Sequence, residues 1–328
     1  MNIVAIVPLG TDPEAAAIAG LCQQAGIPVH RPMCQGKPVH TGNAYKADAV
    51  EPPIPADALV LRVECDGPAL AGIPAEPLVV IDHHRPGDPG YSRRPADFLA
   101  GSSLGQVIVW LARQRKLPVH SASWHCAGDA ADSEAGRLLY AADGRVANNG
   151  NDFQPPGWIV CQCEPTPDSE EPLPRYWRIP DALVYTAAAD HCLAAAYRGA
   201  CPGVDPEKLL VFRCQQKAEF QGVPLDTILG HINRARELLR KRSLSPQGLP
   251  RPYADLTAEP TVPELPEAAA REGIAFLAKV ADRDGRQKVV LQAASAELVR
   301  AFLAGEVYPG LVNHYGDPER GFAGGYER

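Results

Sequence analysis

The sequence predicts an α/β protein: a doubly wound, mostly parallel sheet domain with a β-rich insertion, followed by a smaller α+β domain. Three observations carry that prediction. Short, continuously apolar runs of buried-strand type, NIVAIV at 2–7, ALVLRVE at 58–64 and PLVVID at 77–82, lack the alternation of a half-solvated strand. Helical patterns alternate with strand runs, as parallel pairing requires. A Pro-rich stretch at 243–262, SLSPQGLPRPYADLTAEPTV, then precedes a second mixed pattern. With 328 residues the chain exceeds what one hydrophobic core usually serves, so two domains are expected on size as well.

Along the chain, the first strand stops at Pro8 and Gly10, and an Ala-rich helix runs from about Pro13 to Ala25, ended by Gly26. A second strand is expected near Ile27–His30. Residues 34–56 are polar and Pro-rich and read as loop. The runs at 58–64 and 77–82 each end in acidic residues. Ser102–Lys116 reads as a helix opened by Ser, with apolar residues at helical spacing. From about 117 to 179 the texture changes: LLYAADGRVANNGNDF carries an Asp-Gly hairpin signal, WIVCQC is a strand, and PTPDSEEPLP is a solvated loop. Helices are expected at Asp181–Arg198, Glu207–Lys217 and Leu225–Arg242, the last ending in a basic tip. Beyond 262 come a helix at 264–272, strands at 274–280 and 287–292 around Asp284-Gly285, a helix at 295–304 and a Gly-rich end, YGDPERGFAGGYER. The domains expected are 1–242 with its insertion at 117–179, a linker at 243–262, and 263–328.

Composition excludes several classes. With 45% hydrophobic and 22% charged residues, disorder is not the dominant state. A net charge of −7 argues against a broad basic surface for long duplex nucleic acid. No stretch approaches the roughly 18 apolar residues of a membrane span, and MNIVAIVPLG has no basic n-region. The nine Cys are an odd number and read as small buried residues in a reducing cytoplasm. Pro (33) and Gly (29) are abundant without any period, which implies many rigid turns.

The sharpest chemical feature is Ile81-Asp82-His83-His84 at the end of a predicted strand, where ligands of open parallel sheets bind. Imidazole and carboxylate together are the ligand set of Mn²⁺, Zn²⁺ or Fe²⁺ in hydrolytic sites. The bland alternative is a turn with two exposed His. VVIDHH, followed by a helix opening Ser102-Ser103-Leu104-Gly105-Gln106, resembles the DHH phosphoesterase superfamily. That group includes RecJ-like exonucleases, oligoribonucleases, cyclic-dinucleotide phosphodiesterases and manganese pyrophosphatases. The acidic strand end Glu64-Cys65-Asp66, Asp190 in Ala-Ala-Ala-Asp-His, and the tail from Gly316 to Tyr326 match further family segments in order.

The resemblance implies one or two Mn²⁺ ions that polarise a phosphate and activate water. His83 is then a metal ligand, His84 a phosphate contact, and Asp82 the residue that orients the pair; these three form the expected catalytic motif. Asp190 and one strand-end acid are further ligands, Glu64 being favoured over Asp66. The family's first motif supplies a His and two Asp; here Gly10 stands for the His, Glu14 for the first Asp and Ala16 for the second, with Asp12 nearby. Neither Gly nor Ala can donate to a metal, so one metal site is thinned. In the tail, the backbone of Gly324 and Gly325 would cradle a phosphate, with Arg320 and His314 as cations.

Weaker signals have plainer readings. His120, His125, Cys126, Cys161 and Cys163 lack the usual zinc spacing and read as a packed insertion. Asp190-His191-Cys192 is no nucleophile–base pair, because adjacent helical residues face different ways. The basic tip at 234–242 reads as a solvated helix end. Two functions follow. The first is a metal-dependent phosphoesterase acting on a small nucleotide or short oligonucleotide. The second is a catalytically inactive nucleotide-binding or interaction protein on the same fold. A homodimer is carried as an expectation.

Overall fold

The computed structural model describes residues 2–328 except 11, 41–42, 74–77, 115, 118–137, 142–156, 162–175, 245–252 and 282–284. The chain forms two compact units, one of Met1–Tyr91 with Leu99–Ala187, the other of Ser92–Phe98 with Ala188–Arg328.

In the first unit the order is β1 (Ile3–Ile6), α1 (Pro13–Gln24), β2 (Val29–Cys34), β3 (Lys37–Pro38), a 3₁₀ turn (Ala44–Lys46), β4 (Ala49–Glu51), β5 (Leu59–Val63) and β6 (Leu78–Ile81). Then follow α2 (Phe98–Gly101), α3 (Ser103–Arg113), β7 (Leu138–Ala141), β8 (Gly157–Cys161), β9 (Tyr176–Arg178) and α4 (Asp181–Tyr197), which continues into the second unit. The main sheet has the order β3-β2-β1-β5-β6, with β4 also on β2. The pairs among β2, β1, β5 and β6 are parallel, and β3 and β4 add an antiparallel edge. Alternation along these strands sends Val4, Ile6 and Val60 to one face, where Val39, Ala44, Ala47 and Leu70 cover them. That cover comes from loops and the 3₁₀ turn. Ala5, Leu61 and Val63 face the other way and are fully buried; α1 and α3 pack against each other, with α1 also against β2 and α3 against β6.

Local chemistry sets the helix starts. Asp12 caps α1 by accepting the Glu14 N–H at 2.9 Å, with Pro13 in the first turn. Ser102 caps α3 through the Gly105 N–H at 3.0 Å. The insertion contributes an antiparallel sheet, β7-β8-β9, whose Trp158, Val160 and Trp177 are buried. Its expected Asp-Gly hairpin lies outside the described residues, as do His120, His125, Cys126 and Cys163.

The second unit contains α5 (Pro206–Gln221), α6 (Leu225–Arg242), β10 (Ser243–Leu244), β11 (Tyr253–Leu256), α7 (Leu265–Glu272), β12 (Ala275–Ala281), β13 (Gln287–Gln292), α8 (Ala296–Leu303), β14 (Val312–Asp317) and β15 (Phe322–Tyr326). Its sheet runs β10-β11-β12-β13-β15-β14, with only β11–β12 parallel. One face packs on α5, α6 and α7 through Leu210, Ile228, Ile232, Leu239, Leu265 and Phe276. The other packs on α8 through Leu277, Val289, Leu291, Val299 and Phe302. A buried ion network joins α5 to α7: fully buried Glu267 accepts from Tyr197 and from Arg213 at 3.3 Å, with Lys217 at 3.7 Å.

Three differences from the sequence reading have physical reasons. The compact units divide at 187/188, not at 243–262, because α5 and α6 find their apolar partners on the C-terminal sheet. Residues 253–256, read as linker, form a strand of that sheet. Residues 34–56, read as loop, hold two short edge strands and the 3₁₀ turn.

Candidate metal centre

The main sheet reverses its winding between β1 and β5. From β1 the chain steps through α1 to β2 on one side, while β5 and β6 lie on the other. Open α/β sheets bind ligands beyond the carboxyl ends of the strands at such a reversal. Three chain segments arrive there. Glu14 lies in the first turn of α1 after β1, Glu64 directly follows β5, and Asp82-His83-His84 follow β6. Val63 pairs with Ile81, so Glu64 and Asp82 leave neighbouring strands at the same level.

Glu14, Glu64 and His83 are buried, and each offers one ligand atom, all within 4.8 Å of one another. His83 Nε2 stands 3.4 Å from Glu64 Oε1. Glu64, His83 and His84 form an overlapping set of the same spacing. Two carboxylates and an imidazole buried together carry a large desolvation penalty, which a divalent cation offsets. The donor set therefore fits a borderline-to-hard ion such as Mn²⁺, Zn²⁺ or Fe²⁺. Glu14 also accepts the Leu104 N–H at 2.9 Å, at the N-terminus of α3, where the helix dipole favours a carboxylate.

The backbone is shaped to hold this arrangement. Glu64 adopts a left-handed conformation with φ of 47°, while its N–H stays bonded to the Ile81 carbonyl at 2.9 Å. Such strain costs on the order of 1–3 kcal/mol and concentrates where a side chain must be aimed. Gly90 is required by close approach: a Cβ there would lie 1.9 Å from the Gly101 oxygen and 2.7 Å from the His83 Cβ. Gln106 of α3 donates to the carbonyls of Asp82 and Gly101, both at 3.1 Å, tying the helix to the motif.

Asp82 is the hub of the motif. It accepts from the His83 N–H at 2.7 Å, the His84 N–H at 3.1 Å and His84 Nδ1 at 2.9 Å. The Tyr45 hydroxyl donates to both of its oxygens, at 2.8 and 3.0 Å. Burial alone would raise the Asp82 pKa, but His84, Tyr45 and the His83 N–H outweigh it and pull the carboxyl down to about 2. Burial and the neighbouring Asp82 push the Tyr45 hydroxyl far above its ordinary value, so it stays a donor. Tyr45 was hidden within the stretch read as loop; no local signal marks it, because its partner is 37 residues away.

Other expected site residues have other partners. Asp66 pairs with Arg62 at 2.9 Å and accepts the Gly67 N–H, and its backbone anchors Ala44 and Ala47 on either side of Tyr45. It belongs to neither ligand set, so Glu64 is the strand-end acid that the structure places with His83. Asp12 serves as the α1 cap. Burial of Cys65 drives its thiol far up, out of reach of nucleophilic use.

Asp190 belongs to the second unit, on α4, where non-helical Cys192 interrupts the helix. Arg320 takes up the Asp190 and His191 carbonyls at 3.1 and 3.0 Å and lies 3.7 Å from the Asp190 carboxylate. A cavity of about 190 Å³ opens beside Asp190, His191, Gln292, Arg320 and Phe322. His191 is buried and bonds the Arg93 carbonyl at 3.1 Å; burial first, then Arg320, lower its pKa to about 4. The Cys192 thiol lies 3.1 Å from that of Cys201, not against a base, and is pushed well up by that contact and by burial.

The Gly-rich tail is a hairpin. Gly324 and Gly325 lie in β15, an interior strand between β13 and β14, so their backbone serves the sheet and does not form an open phosphate loop. Tyr315 packs directly over Gly324. His314 is exposed on β14, edge-on to Phe302 with 6.2 Å between ring centres. Fully buried Asp317, unmarked in the sequence, accepts from Ser92 at 3.2 Å and from Glu319 at 2.9 Å. The basic tip of α6 is spent internally: Arg236 and Arg240 pair with Glu272, and Arg242 with Glu259.

No protein-family model matches the chain. No curated protein matches it either. Among solved structures, it is similar to a pGpG-specific phosphodiesterase, PggH from Vibrio cholerae, with 10% sequence identity over 100% of this chain and 93% of that one, at a TM-score of 0.37. Among the described residues, no helix is long and apolar enough to cross a membrane.

Proposed function

We propose that the protein is a metal-dependent phosphoesterase that hydrolyses a phosphodiester of a small nucleotide or short oligonucleotide. The observation that carries this reading is the convergence of buried Glu14, Glu64 and His83 at the winding reversal of a parallel sheet. Glu14, Glu64 and His83 would hold the ion. A bound Mn²⁺ would supply Lewis acidity toward a phosphoryl oxygen and a lowered pKa for water.

The chain's own groups supply the rest. Asp82 stays ionised and fixes His84 through Nδ1, which orients Nε2 as the proposed donor to a phosphoryl oxygen. Tyr45 holds Asp82 in place and keeps the motif from re-pairing. The net charge of −7 and the internally paired arginines of α6 favour a short ligand over a long strand.

The second reading, a non-catalytic nucleotide-binding protein, is favoured by Gly10 and Ala16 in the first motif and by the commitment of Glu14 to the α3 terminus. One experiment separates the two. Dinucleotides, cyclic dinucleotides, a nucleoside bisphosphate and pyrophosphate are incubated with the protein, with and without Mn²⁺, alongside His83→Ala. Mn²⁺-dependent turnover lost in the variant establishes the esterase. Nucleotide binding without turnover, and no Mn²⁺ retained after dialysis, establishes the binder.

A further inference from the structure

We infer that Arg85 is an anion-binding residue, held ready by Tyr45 to take a phosphoryl group. The inference rests on the phosphoesterase reading for its choice of phosphate. Arg85 directly follows His84, and its backbone is fixed by a turn. Its N–H donates to Asp88 Oδ2 at 2.6 Å, the Asp88 N–H returns to the Arg85 carbonyl at 3.0 Å, and the Gly90 N–H closes on the Asp82 carbonyl at 3.0 Å.

The side chain is placed as firmly. The Arg85 guanidinium lies 3.3 Å over the centre of the Tyr45 ring. That ring is itself anchored through its hydroxyl to Asp82. It also stands edge-on to His84, 6.3 Å between centroids, so Arg85 and His84 flank a single ring. Stacking occupies the flat face of a guanidinium and leaves its in-plane N–H groups directed away from the ring. Those donors match two oxygens of a phosphate or carboxylate. Several other arginines in the structure direct this edge at a Glu or Asp, as Arg213 does to Glu267 and Arg240 to Glu272. Arg85 is exposed and makes no ion pair with any described residue. A cation whose backbone, rotamer and face are already fixed loses little freedom on binding, which is what a preorganised anion contact requires.

The test uses the metal-free protein and inorganic phosphate, followed by calorimetry, with Arg85→Met and Arg85→Lys as variants and acetate as the competing anion. Because Arg85 is exposed, both variants are expected to keep the wild-type circular dichroism spectrum. Arg85→Met should weaken phosphate binding about tenfold or more, the value of a charge-assisted hydrogen bond. Arg85→Lys should fall between, since an ammonium keeps the charge without the paired donors. Absence of phosphate binding by the wild-type protein, equal affinity in Arg85→Met, or acetate binding as tightly as phosphate overturns the assignment. No metal or turnover enters this measurement, so its failure leaves the hydrolysis panel intact, and failure of that panel leaves the anion contact standing.

Discussion

Replacing Tyr45 by Phe removes one oxygen from the centre of the site and leaves its ring in place. The lost hydroxyl donates to both oxygens of Asp82, at 2.8 and 3.0 Å, and Asp82 is buried. A hydrogen bond to a charged group contributes about 1.5–3 kcal/mol net, and the substitution opens almost no cavity, so the loss should be of that size at neutral pH. The same interaction helps hold the Asp82 pKa near 2; at 1.36 kcal/mol per unit, its removal should raise that pKa by about 1–2 units. A folded-state pKa below the unfolded value of about 3.9 stabilises the fold above that pH, and the contribution fades as pH falls toward the folded value. The stability gap between wild type and Tyr45→Phe should therefore be constant above about pH 5 and narrow below about pH 4. Urea unfolding followed by tryptophan fluorescence measures it, since Trp110, Trp158 and Trp177 all lie in the first unit. A loss under about 0.5 kcal/mol, or a gap unchanged at pH 3, refutes the view that Tyr45 holds an ionised Asp82.

Other perturbations probe the scaffold. Gly90→Ala forces a Cβ to within 1.9 Å of a backbone oxygen and 2.7 Å of the His83 Cβ; it should cost about 1–3 kcal/mol and weaken Mn²⁺ binding measured by calorimetry, and an unchanged affinity would show that the loop moves without consequence. Glu267→Ala takes the carboxylate from Arg213 and the Tyr197 hydroxyl and leaves a buried void, while Lys217 keeps Glu264; a loss of about 3–5 kcal/mol is expected by chemical unfolding, against a much smaller loss for an exposed acid such as Glu219. Burial alone would raise the Glu272 pKa, but bonds from Arg240 and Arg236 outweigh it and lower the folded value. Its contribution is therefore present above the unfolded pKa and fades as pH falls through the folded one, so wild type and Glu272→Gln should converge in acid unfolding; parallel curves would remove Glu272 from the account.

How much of this could be read beforehand depends on distance along the chain. The strands near 2–7, 58–64 and 77–82 were legible because a buried parallel strand is apolar throughout, a property of consecutive residues. The helix starting after Ser102 was legible from its cap and its spacing. Asp82-His83-His84 stood out because polar residues at the end of an apolar strand have no packing reason to be there. Tyr45 did not stand out, since a tyrosine in a polar stretch looks the same whether its hydroxyl meets water or a carboxylate. The tail shows the same dependence on distant neighbours. Paired glycines suit a phosphate loop and also suit a strand under a tyrosine, and only the neighbour at Gly324 decides between them.

By itself, the sequence determined the α/β class, the order of the main elements and the place of Asp82-His83-His84 at a strand end, because each of these follows from local periodicity and capping. Only the tertiary structure decided that Glu14 and Glu64 meet His83, that Asp66 turns away to Arg62, and that α5 and α6 belong with the C-terminal sheet. Those outcomes depend on which surfaces meet when the strands align and apolar faces find their partners. Side chains distant in sequence acquire their chemistry only from that encounter.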